Sequence, residues 1–299
     1  MKVLVTGGTV FVSKYVAKYY VNKGAEVYVL NRNSRPQVKG VYLLEADRHD
    51  CKDVLKGHYF DAVLDVTAYT AEDIKDLLAS LEGFGQYIMV SSSAVYPEAN
   101  VQPFKEEQSV GLNKFWGKYG MDKMVAEEVL LQAVPEAYIL RPPYLYGPMN
   151  NVYREGFVFE CAEAGRKFYI PRDGSMQLQF FHVEDLCKVM DAILDKKPTA
   201  HIINVGNEET VSILDWVKMC YDVVDAPLEI VNVDESIEQR KYFSFYDYEY
   251  KLDVSRQKVL LPETMDMRAG LKEAYEWYKS NKSEVRRKDF IAFIDENLV

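Results

Sequence analysis

The sequence predicts a doubly wound α/β fold, in which helices cover both faces of a parallel sheet. Three observations predict this fold class. Short apolar, β-branched runs alternate with amphipathic segments through the N-terminal half, and a glycine-rich turn follows the first of these runs. The length of 299 residues suffices for one large domain with a smaller C-terminal lobe.

The N-terminal half supplies the repeated strand and helix units of such a sheet. Strands are predicted at residues 2–5, 26–30, 41–45, 62–66 and 87–91, and helices at residues 11–23, 50–56 and 71–81. Gly24 follows the first helix at the position where a left-handed C-terminal cap is expected.

Beyond residue 148 the alternation becomes irregular, and glycine and proline interrupt it. The later predicted elements are helices at residues 183–194, 212–223 and 267–281, a strand at 201–205 and an aromatic, charged stretch at 242–250. The domain assignment is residues 1–148 plus about 175–206 for the sheet domain, and about 149–174 plus 207–299 for the smaller lobe. The charged run at residues 283–288 is predicted to be a solvated helix face.

Composition narrows the class of protein. With 46 acidic residues against 36 lysines and arginines, the net charge of −10 argues against a nucleic-acid partner and favours a small-molecule substrate. No apolar stretch is long enough for a membrane span, and the first residues lack the basic segment of an export signal. Scattered cysteines predict neither disulfides nor a zinc site, so we expect a cytoplasmic protein without a bound metal.

The turn after the first strand has the context of a phosphate-binding loop. A strand, a glycine-rich turn and a helix place a dinucleotide pyrophosphate at a helix N-terminus in the Rossmann arrangement. The expected cofactor contacts in this loop are Gly7, Thr9, Val10, Phe11 and Val12. Val10 and Ser13 stand where the full glycine pattern has glycine, and the branched Val10 side chain narrows the approach to the backbone. An ordinary turn without a ligand is the alternative.

The end of the second predicted strand bears on the choice of cofactor. A carboxylate for the adenosine ribose is absent there, and Asn31 and Arg32 stand in its place. A guanidinium can pair with a 2'-phosphate, so we expect NADP rather than NAD, with an exposed arginine and no ligand as the alternative. Asp47 and Arg48, just past the third strand, are placed to meet the adenine edge, although a surface turn pair would look the same.

A Tyr-x-x-x-Lys pair on a helix puts a phenol and an ammonium on one face, where the ammonium can lower the phenol pKa for acid/base chemistry. Only the pair Tyr119/Lys123 follows a strand that ends in a run of serines, at the edge where parallel sheets bind ligands. The other three pairs are predicted to be solvated helix faces: Tyr19/Lys23, Tyr275/Lys279 and Tyr278/Lys282.

These motifs together resemble the extended short-chain dehydrogenases/reductases, the NAD-dependent epimerase/dehydratase family. The similar segments are Thr-Gly-Gly at 6–8, Ser-Ser-Ser-Ala-Val-Tyr at 91–96, Tyr-Gly-Met-Asp-Lys at 119–123, Leu-Arg-Pro-Pro-Tyr-Leu-Tyr-Gly-Pro at 140–148, Phe-His-Val-Glu-Asp-Leu at 181–186 and Asn-Val-Gly-Asn at 204–207. The resemblance implies that Ser92 bonds the reacting oxygen, that Tyr119 moves its proton, and that Lys123 holds the nicotinamide ribose. Ser93 is the second choice of serine.

The resemblance also implies cofactor contacts at Thr67, Ala68 and Pro142 and a homodimer built on the helix that contains Tyr119. Departures at Val10 and at residues 65–69 make the chain similar to an atypical branch, the bacterial relatives of chloroplast stem-loop RNA-binding proteins.

We therefore predict an NAD(P)-dependent epimerase/dehydratase or reductase that acts on a hydroxyl or carbonyl group. A nucleotide sugar is one such substrate, although Leu178 and Tyr144 stand where that class of enzyme has arginine and asparagine. The alternatives are a noncatalytic NAD(P)- or RNA-binding regulatory protein on the same fold, and a carboxylate site at Asp65, Glu184 and Asp185. The sequence does not rank the candidate substrate contacts, which are Tyr144, Tyr153, Met176 and Tyr246.

Overall fold

The computed structural model describes all 299 residues. Thirteen strands are formed: β1 Lys2–Thr6, β2 Glu26–Asn31, β3 Tyr42–Glu45, β4 Phe60–Asp65, β5 Phe84–Val90, β6 Tyr138–Arg141, β7 Tyr144–Tyr146, β8 Phe168–Pro171, β9 Gln177–Leu178, β10 Phe180–His182, β11 Ile202–Asn204, β12 Val211–Ser212 and β13 Ile230–Val233. Ten α-helices accompany them: α1 Phe11–Asn22, α2 Lys52–Leu55, α3 Ala71–Ser80, α4 Gly117–Ala133, α5 Glu155–Glu163, α6 Val183–Lys196, α7 Ile213–Val224, α8 Ser255–Leu260, α9 Met267–Asn281 and α10 Phe290–Asn297.

Seven strands form one parallel sheet in the order β11-β6-β5-β4-β1-β2-β3. The predicted doubly wound fold is confirmed. Because β1 lies between β4 and β2, the strand order reverses beside it, and such a reversal opens a crevice at the carboxyl ends of the strands. The remaining six strands pair into three two-stranded sheets, β10-β7, β12-β9 and β13-β8.

The central strands are apolar because both faces of the sheet are covered. One cluster of buried side chains packs α1 and α6 against one face, and a second packs α3 and α4 against the other. Burial at this scale is the main stabilising contribution to the sheet. The position of its carboxyl edge is therefore fixed by the core and not by the loops.

A third cluster of 35 buried residues lies mainly in the C-terminal lobe and is rich in aromatic rings. The aromatic stretch at 242–250 belongs to it, with Tyr242, Phe243, Phe245, Tyr248 and Tyr250 all buried. Phe245 packs edge-on against Trp216, with ring centroids 5.3 Å apart. This wall of rings supports one side of the cleft at the sheet edge.

Local signals explain where several elements begin and end. Thr70 and Asp73 form a reciprocal capping box at the start of α3, and Gly24 adopts φ +78° after α1, as the sequence predicts. The predicted helix at 50–56 shortens to Lys52–Leu55. No helix of the protein is both long and apolar enough to cross a membrane.

Two predictions of solvated helix faces were wrong, one for residues 283–288 and one for Tyr278. The run at 283–288 is not a helix face, since only a short 3-10 turn, Lys282–Glu284, precedes extended residues there. Tyr278 is only 3% exposed and belongs to the lobe core, because its face of α9 packs against α5. Tyr19 is half-buried, and its hydroxyl donates to Asp191 at 2.5 Å. Asp191 also accepts from Lys23.

Candidate active site

A cleft of about 490 Å³ opens at the carboxyl edge of the sheet, between the sheet domain and the C-terminal lobe. The ends of β1, β4, β5 and β6 supply one wall, and α4 and the lobe supply the other. The sheet-side lining comprises Val10, Phe11, Val12, Ser13, Val66, Thr67, Tyr69, Val90, Ser91, Ser92, Ser93, Pro142, Pro143, Tyr144 and Leu145. The opposite lining comprises Trp116, Tyr119, Lys123, Asn151, Val152, Arg154, Tyr250 and Arg286.

The glycine turn has the backbone conformation that the sequence predicts. Gly7 and Gly8 adopt φ +86° and +91°, which side chains disfavour. A Cβ on Gly7 would lie 2.8 Å from Thr67 Cγ2, and one on Gly8 would lie 2.6 Å from Val29 Cγ1. Both glycines are therefore required for close packing of the turn.

The N-terminus of α1 is free to receive an anion. Its cap residue Val10 makes no side-chain capping bond, and the first turn carries no acidic residue. The first amides of the helix therefore have no side-chain partner at the cleft. A dinucleotide pyrophosphate fits these residues.

Val10 lies in the cleft wall without backbone strain, because its φ of −137° and ψ of 134° are extended. The next residue, Phe11, adopts φ +35° and is 8% exposed. A positive φ is unfavourable for a bulky residue and is held by the packing of its ring in the core. The loop thus differs locally from one with glycine at position 10.

The residues expected at the adenosine end form a contiguous group outside the main cleft. Asn31 Nδ2 donates to Gly7 O at 2.6 Å. The Arg32 side chain is 76% exposed and lies 3.7 Å from Asp47, a distance and exposure at which an ion pair contributes little. Its guanidinium therefore remains available to a ligand.

Arg48 turns inward instead of facing this surface. Its guanidinium pairs with Asp65 at 2.9 Å and donates to Thr67 Oγ1 at 3.3 Å. Asp65 also accepts from Thr6 at 2.7 Å and from Tyr87 at 2.5 Å. Burial opposes the Asp65 charge, but Arg48 outweighs it and lowers the carboxyl pKa. This pair ties the loop after β3 to the end of β4.

The two candidate serines have different environments. Ser93 Oγ donates to Tyr250 at 3.0 Å in the buried interior, whereas Ser92 Oγ is half-buried in the cleft and accepts from Ala94 N at 3.1 Å. Ser92 keeps its hydroxyl proton free for a further acceptor. Of the two serine hydroxyls, that of Ser92 is the one whose proton is uncommitted at the cleft.

Tyr119 lies on the first turn of α4, is 40% exposed and lines the cleft. Burial raises the phenol pKa, while the nearby Ser92 hydroxyl and the charge of Arg154 act against that rise. The phenol is therefore protonated at neutral pH and close to the Ser92 hydroxyl.

Lys123, one turn further along α4, is almost fully buried. Its Nζ donates to Ala68 O at 2.6 Å and to Val90 O at 2.9 Å, and it lies 4.8 Å from the centroid of the Tyr69 ring. An ammonium has three donors, so one remains for a ligand hydroxyl. Burial lowers the pKa of Lys123 to about 8.

A buried polar network supports the serine-bearing end of β5. Glu127 accepts from Ser91 and pairs with Arg141, whose Nε lies 3.1 and 3.2 Å from the two carboxylate oxygens. Arg141 also donates to Tyr96 at 2.8 Å, and Tyr96 donates to Asn204 at 2.8 Å. The network joins β5, α4, β6 and β11 directly behind Ser92.

The structure thus brings Ser92, Tyr119 and Lys123 to one cleft, as the sequence predicts. Of the expected cofactor contacts, Val10, Phe11, Val12, Thr67 and Pro142 line it as well. Gly7, Thr9, Asn31, Arg32, Asp47, Arg48 and Ala68 lie outside its lining. Ala68 still shares the site through its carbonyl bond with Lys123.

The sequence did not predict several residues that line the cleft. Trp116, Tyr69, Arg154 and Arg286 all line the cleft, and of the unranked substrate candidates only Tyr144 does so. Arg154 stacks over the Tyr144 ring at 4.9 Å. No motif marks Arg154 and Arg286, because their approach depends on how the lobe packs.

The acidic residues considered as a separate site have their own partners. Asp185 accepts from Met265 N at 2.6 Å and from Lys188 at 3.1 Å. The ligand atoms of His182, Glu184 and Glu273 lie within 4.8 Å of one another. However, His182 Nδ1 accepts from Glu184 N at 3.3 Å, so the neutral ring carries its proton on Nε2 and offers no metal ligand there.

The chain is similar to characterised proteins over almost its whole length. Chloroplast stem-loop binding protein of 41 kDa b from Arabidopsis thaliana is 29% identical over 302 residues, which cover 92% of this chain and 78% of the relative. The predicted resemblance to that branch is confirmed. dTDP-4-dehydro-6-deoxy-D-allose reductase from a Streptomyces species is 26% identical over 332 residues, covering 94% of this chain and 97% of the reductase.

Solved structures share the fold. UDP-glucose 4-epimerase from Thermotoga maritima, in complex with UDP-glucose, superposes with a TM-score of 0.77 at 19% identity, over 94% of this chain and all of the epimerase. UDP-glucuronic acid 4-epimerase from Bacillus cereus, in complex with UDP-glucuronic acid and NAD, gives 0.74 at 18% identity, over 94% and 99%. A sequence model of the NAD dependent epimerase/dehydratase family matches residues 3–206. The chain belongs to the NAD-dependent epimerase/dehydratase family.

Proposed function

We propose that the protein is an NAD(P)-dependent epimerase/dehydratase or reductase that acts on a nucleotide sugar through Ser92, Tyr119 and Lys123. The observation that carries the proposal is the convergence of these three side chains in one cleft with the uncapped N-terminus of α1. The relatives that act on dTDP- and UDP-linked sugars support the class of substrate.

The residues have separable roles in this proposal. Tyr119 holds the proton that is given to, or taken from, the oxygen at the reacting carbon, and Ser92 donates a hydrogen bond to that oxygen. The third donor of Lys123 holds a ribose hydroxyl, since its other two are bonded to Ala68 and Val90. When bound, the nicotinamide supplies a hydride acceptor or donor beside these groups.

The lobe offers positive charge for the diphosphate of the substrate. Arg154, Arg240 and Lys288 lie close enough that Arg240 and Arg154 together lower the pKa of Lys288, after burial. None of the three has a carboxylate within 4.0 Å, although the chain is acidic overall. Neighbouring cations repel one another, and a bound anion would relieve that repulsion. Enzymes of nucleotide sugars have an arginine at the position of Leu178. We propose that this cluster binds the diphosphate in place of that arginine.

The exposed guanidinium of Arg32 supports a preference for NADP over NAD. No carboxylate of β2 competes with a 2'-phosphate, because Asn31 ends that strand. Replacement of Arg32 by glutamine should lower NADPH affinity about tenfold and leave NADH affinity unchanged. Equal effects on both cofactors would remove the basis for this preference.

The function is tested by incubating the protein and its Tyr119→Phe variant with UDP- and dTDP-sugars and their 4-keto forms. Product formation would be followed by chromatography, with either nicotinamide cofactor present. Turnover of one of these sugars that disappears in the variant is the expected result. Cofactor binding without turnover of any of them would favour a noncatalytic binding protein.

An RNA-binding role is the second candidate, favoured by the similarity to the chloroplast stem-loop binding protein. With a net charge of −10, such binding would depend on the basic cluster of the lobe. RNA affinity should then fall steeply with added salt. A flat salt response would count against this role.

The assembly and compartment remain part of the proposal. We propose a homodimer through α4, whose Val125 is 38% exposed, and a reducing cytoplasmic setting, in which the four unpaired cysteines would be stable. Sedimentation of the wild-type protein and of a Val125→Glu variant would test the dimer.

A further inference from the structure

The segment that follows α9 returns across the molecule to the N-terminus of α1. Lys14, in the first turn of α1, pairs with Glu284 at 3.0 Å. On the other side, Arg286 N donates to Asn151 O at 2.9 Å, and Arg286 forms an isolated bridge with Val152. Two independent attachments thus hold this segment against the mouth of the cleft.

Arg286 lines the same cleft as Val10 and the first turn of α1. Burial raises the pKa of the Tyr69 phenol on the sheet-domain side, and the Arg286 guanidinium acts against that rise. The guanidinium therefore lies near the cofactor wall of the cleft, although its backbone belongs to the lobe.

Arg286 has no carboxylate within 4.0 Å, while its neighbour Arg287 pairs with Glu160 at 3.1 Å. Lys14, in the first turn of α1, is already paired with Glu284. Arg286 thus lines the cleft without a carboxylate partner. A planar guanidinium can bond two phosphate oxygens at once.

A pyrophosphate at the turn could not approach the backbone as closely as at a glycine, because Val10 places a branched apolar side chain there. We propose that Arg286 reaches across the cleft to the pyrophosphate of the dinucleotide and compensates for Val10. This inference rests on the proposed function, because it requires that the cleft binds a dinucleotide.

The test is calorimetric titration of the wild-type protein, Arg286→Gln and Arg287→Gln with NADH, ADP-ribose and adenosine. Arg286→Gln should weaken binding of NADH and ADP-ribose by about 10- to 100-fold, because a charge-assisted contact to phosphate is lost, and should leave adenosine binding unchanged. Arg287→Gln removes the same charge one residue away and should change none of the three.

The outcomes separate this inference from the function on which it rests. If the wild-type protein binds NADH and Arg286→Gln binds it equally well, the proposed contact of Arg286 with the pyrophosphate is refuted and the proposed function stands. An equal loss for adenosine and ADP-ribose, or a loss for UDP alone in a parallel titration, would also refute it. If the wild-type protein binds none of NADH, NADPH and ADP-ribose, both proposals fail.

Discussion

The buried pair of Glu127 and Arg141 should be strongly coupled, since its side chains are only 5% and 3% exposed. Burial works against the charge of Arg141, but Glu127 outweighs that effect and raises the guanidinium pKa. Glu127→Gln leaves this cation buried without its counter-charge, and Arg141→Met leaves the carboxylate with Ser91 alone. Each change should cost about 3 kcal/mol of unfolding free energy.

The double variant should be less destabilised than the sum of the single variants by at least about 2 kcal/mol, because the second change removes the unpaired charge created by the first. Urea unfolding followed by circular dichroism and tryptophan fluorescence measures the four free energies. The matched control is the exposed pair Asp222–Arg268 at 2.7 Å, changed to Asn and Met, with an expected coupling below about 0.5 kcal/mol. A buried coupling no larger than the control coupling would refute the reasoning.

Three further predictions concern the reaction centre and the fold. Tyr119→Phe should lower kcat by about 10²- to 10⁴-fold while the cofactor Kd stays within about twofold, as rapid kinetics and calorimetry can show; undiminished kcat would exclude Tyr119 as the proton carrier. Because burial lowers the pKa of Lys123 to about 8, cofactor affinity should fall as pH rises through that value and the ammonium loses a donor. A Lys123→Met variant should bind weakly with no such dependence, and an identical pH profile for the two proteins would contradict this role. Burial lowers the pKa of His182 to about 4, so folding excludes a proton that the unfolded chain binds at its ordinary pKa of 6.5. The contribution of neutral His182 to the unfolding free energy is therefore fully present above pH 6.5. About 3 kcal/mol of it should be lost as pH falls from 6.5 to 4. His182→Asn keeps an N-cap acceptor and should lessen the loss in acid unfolding experiments; an unchanged acid limb would count against His182.

The part of the site that the sequence predicts is the part built by local structure. The order of strand, glycine turn and helix is encoded within residues 2–23, so the conformation of Gly7 and Gly8 follows from it. Tyr119 and Lys123 could be chosen among four similar pairs because the strand ending in Ser92 precedes them. Parallel strands bring such carboxyl-end residues to one edge.

The residues that the sequence did not reveal act over long separations. Arg286 reaches the N-terminus of α1 only through the packing of the whole lobe, and its charged run looked like a solvated helix face. Arg48 was expected at the adenine edge, but its partner Asp65 is 17 residues away with no motif to connect them. Pairings of this kind depend on tertiary contacts, which periodicity does not report.

The central claim is that the cleft binds a nicotinamide dinucleotide despite Val10. Calorimetric titration of the ligand-stripped protein with NADPH and NADH in parallel tests it most directly. The expected result is micromolar binding with NADPH favoured, in agreement with an open α1 N-terminus and an exposed Arg32. Binding of neither cofactor would contradict the claim and leave a noncatalytic binding protein as the better account of the fold.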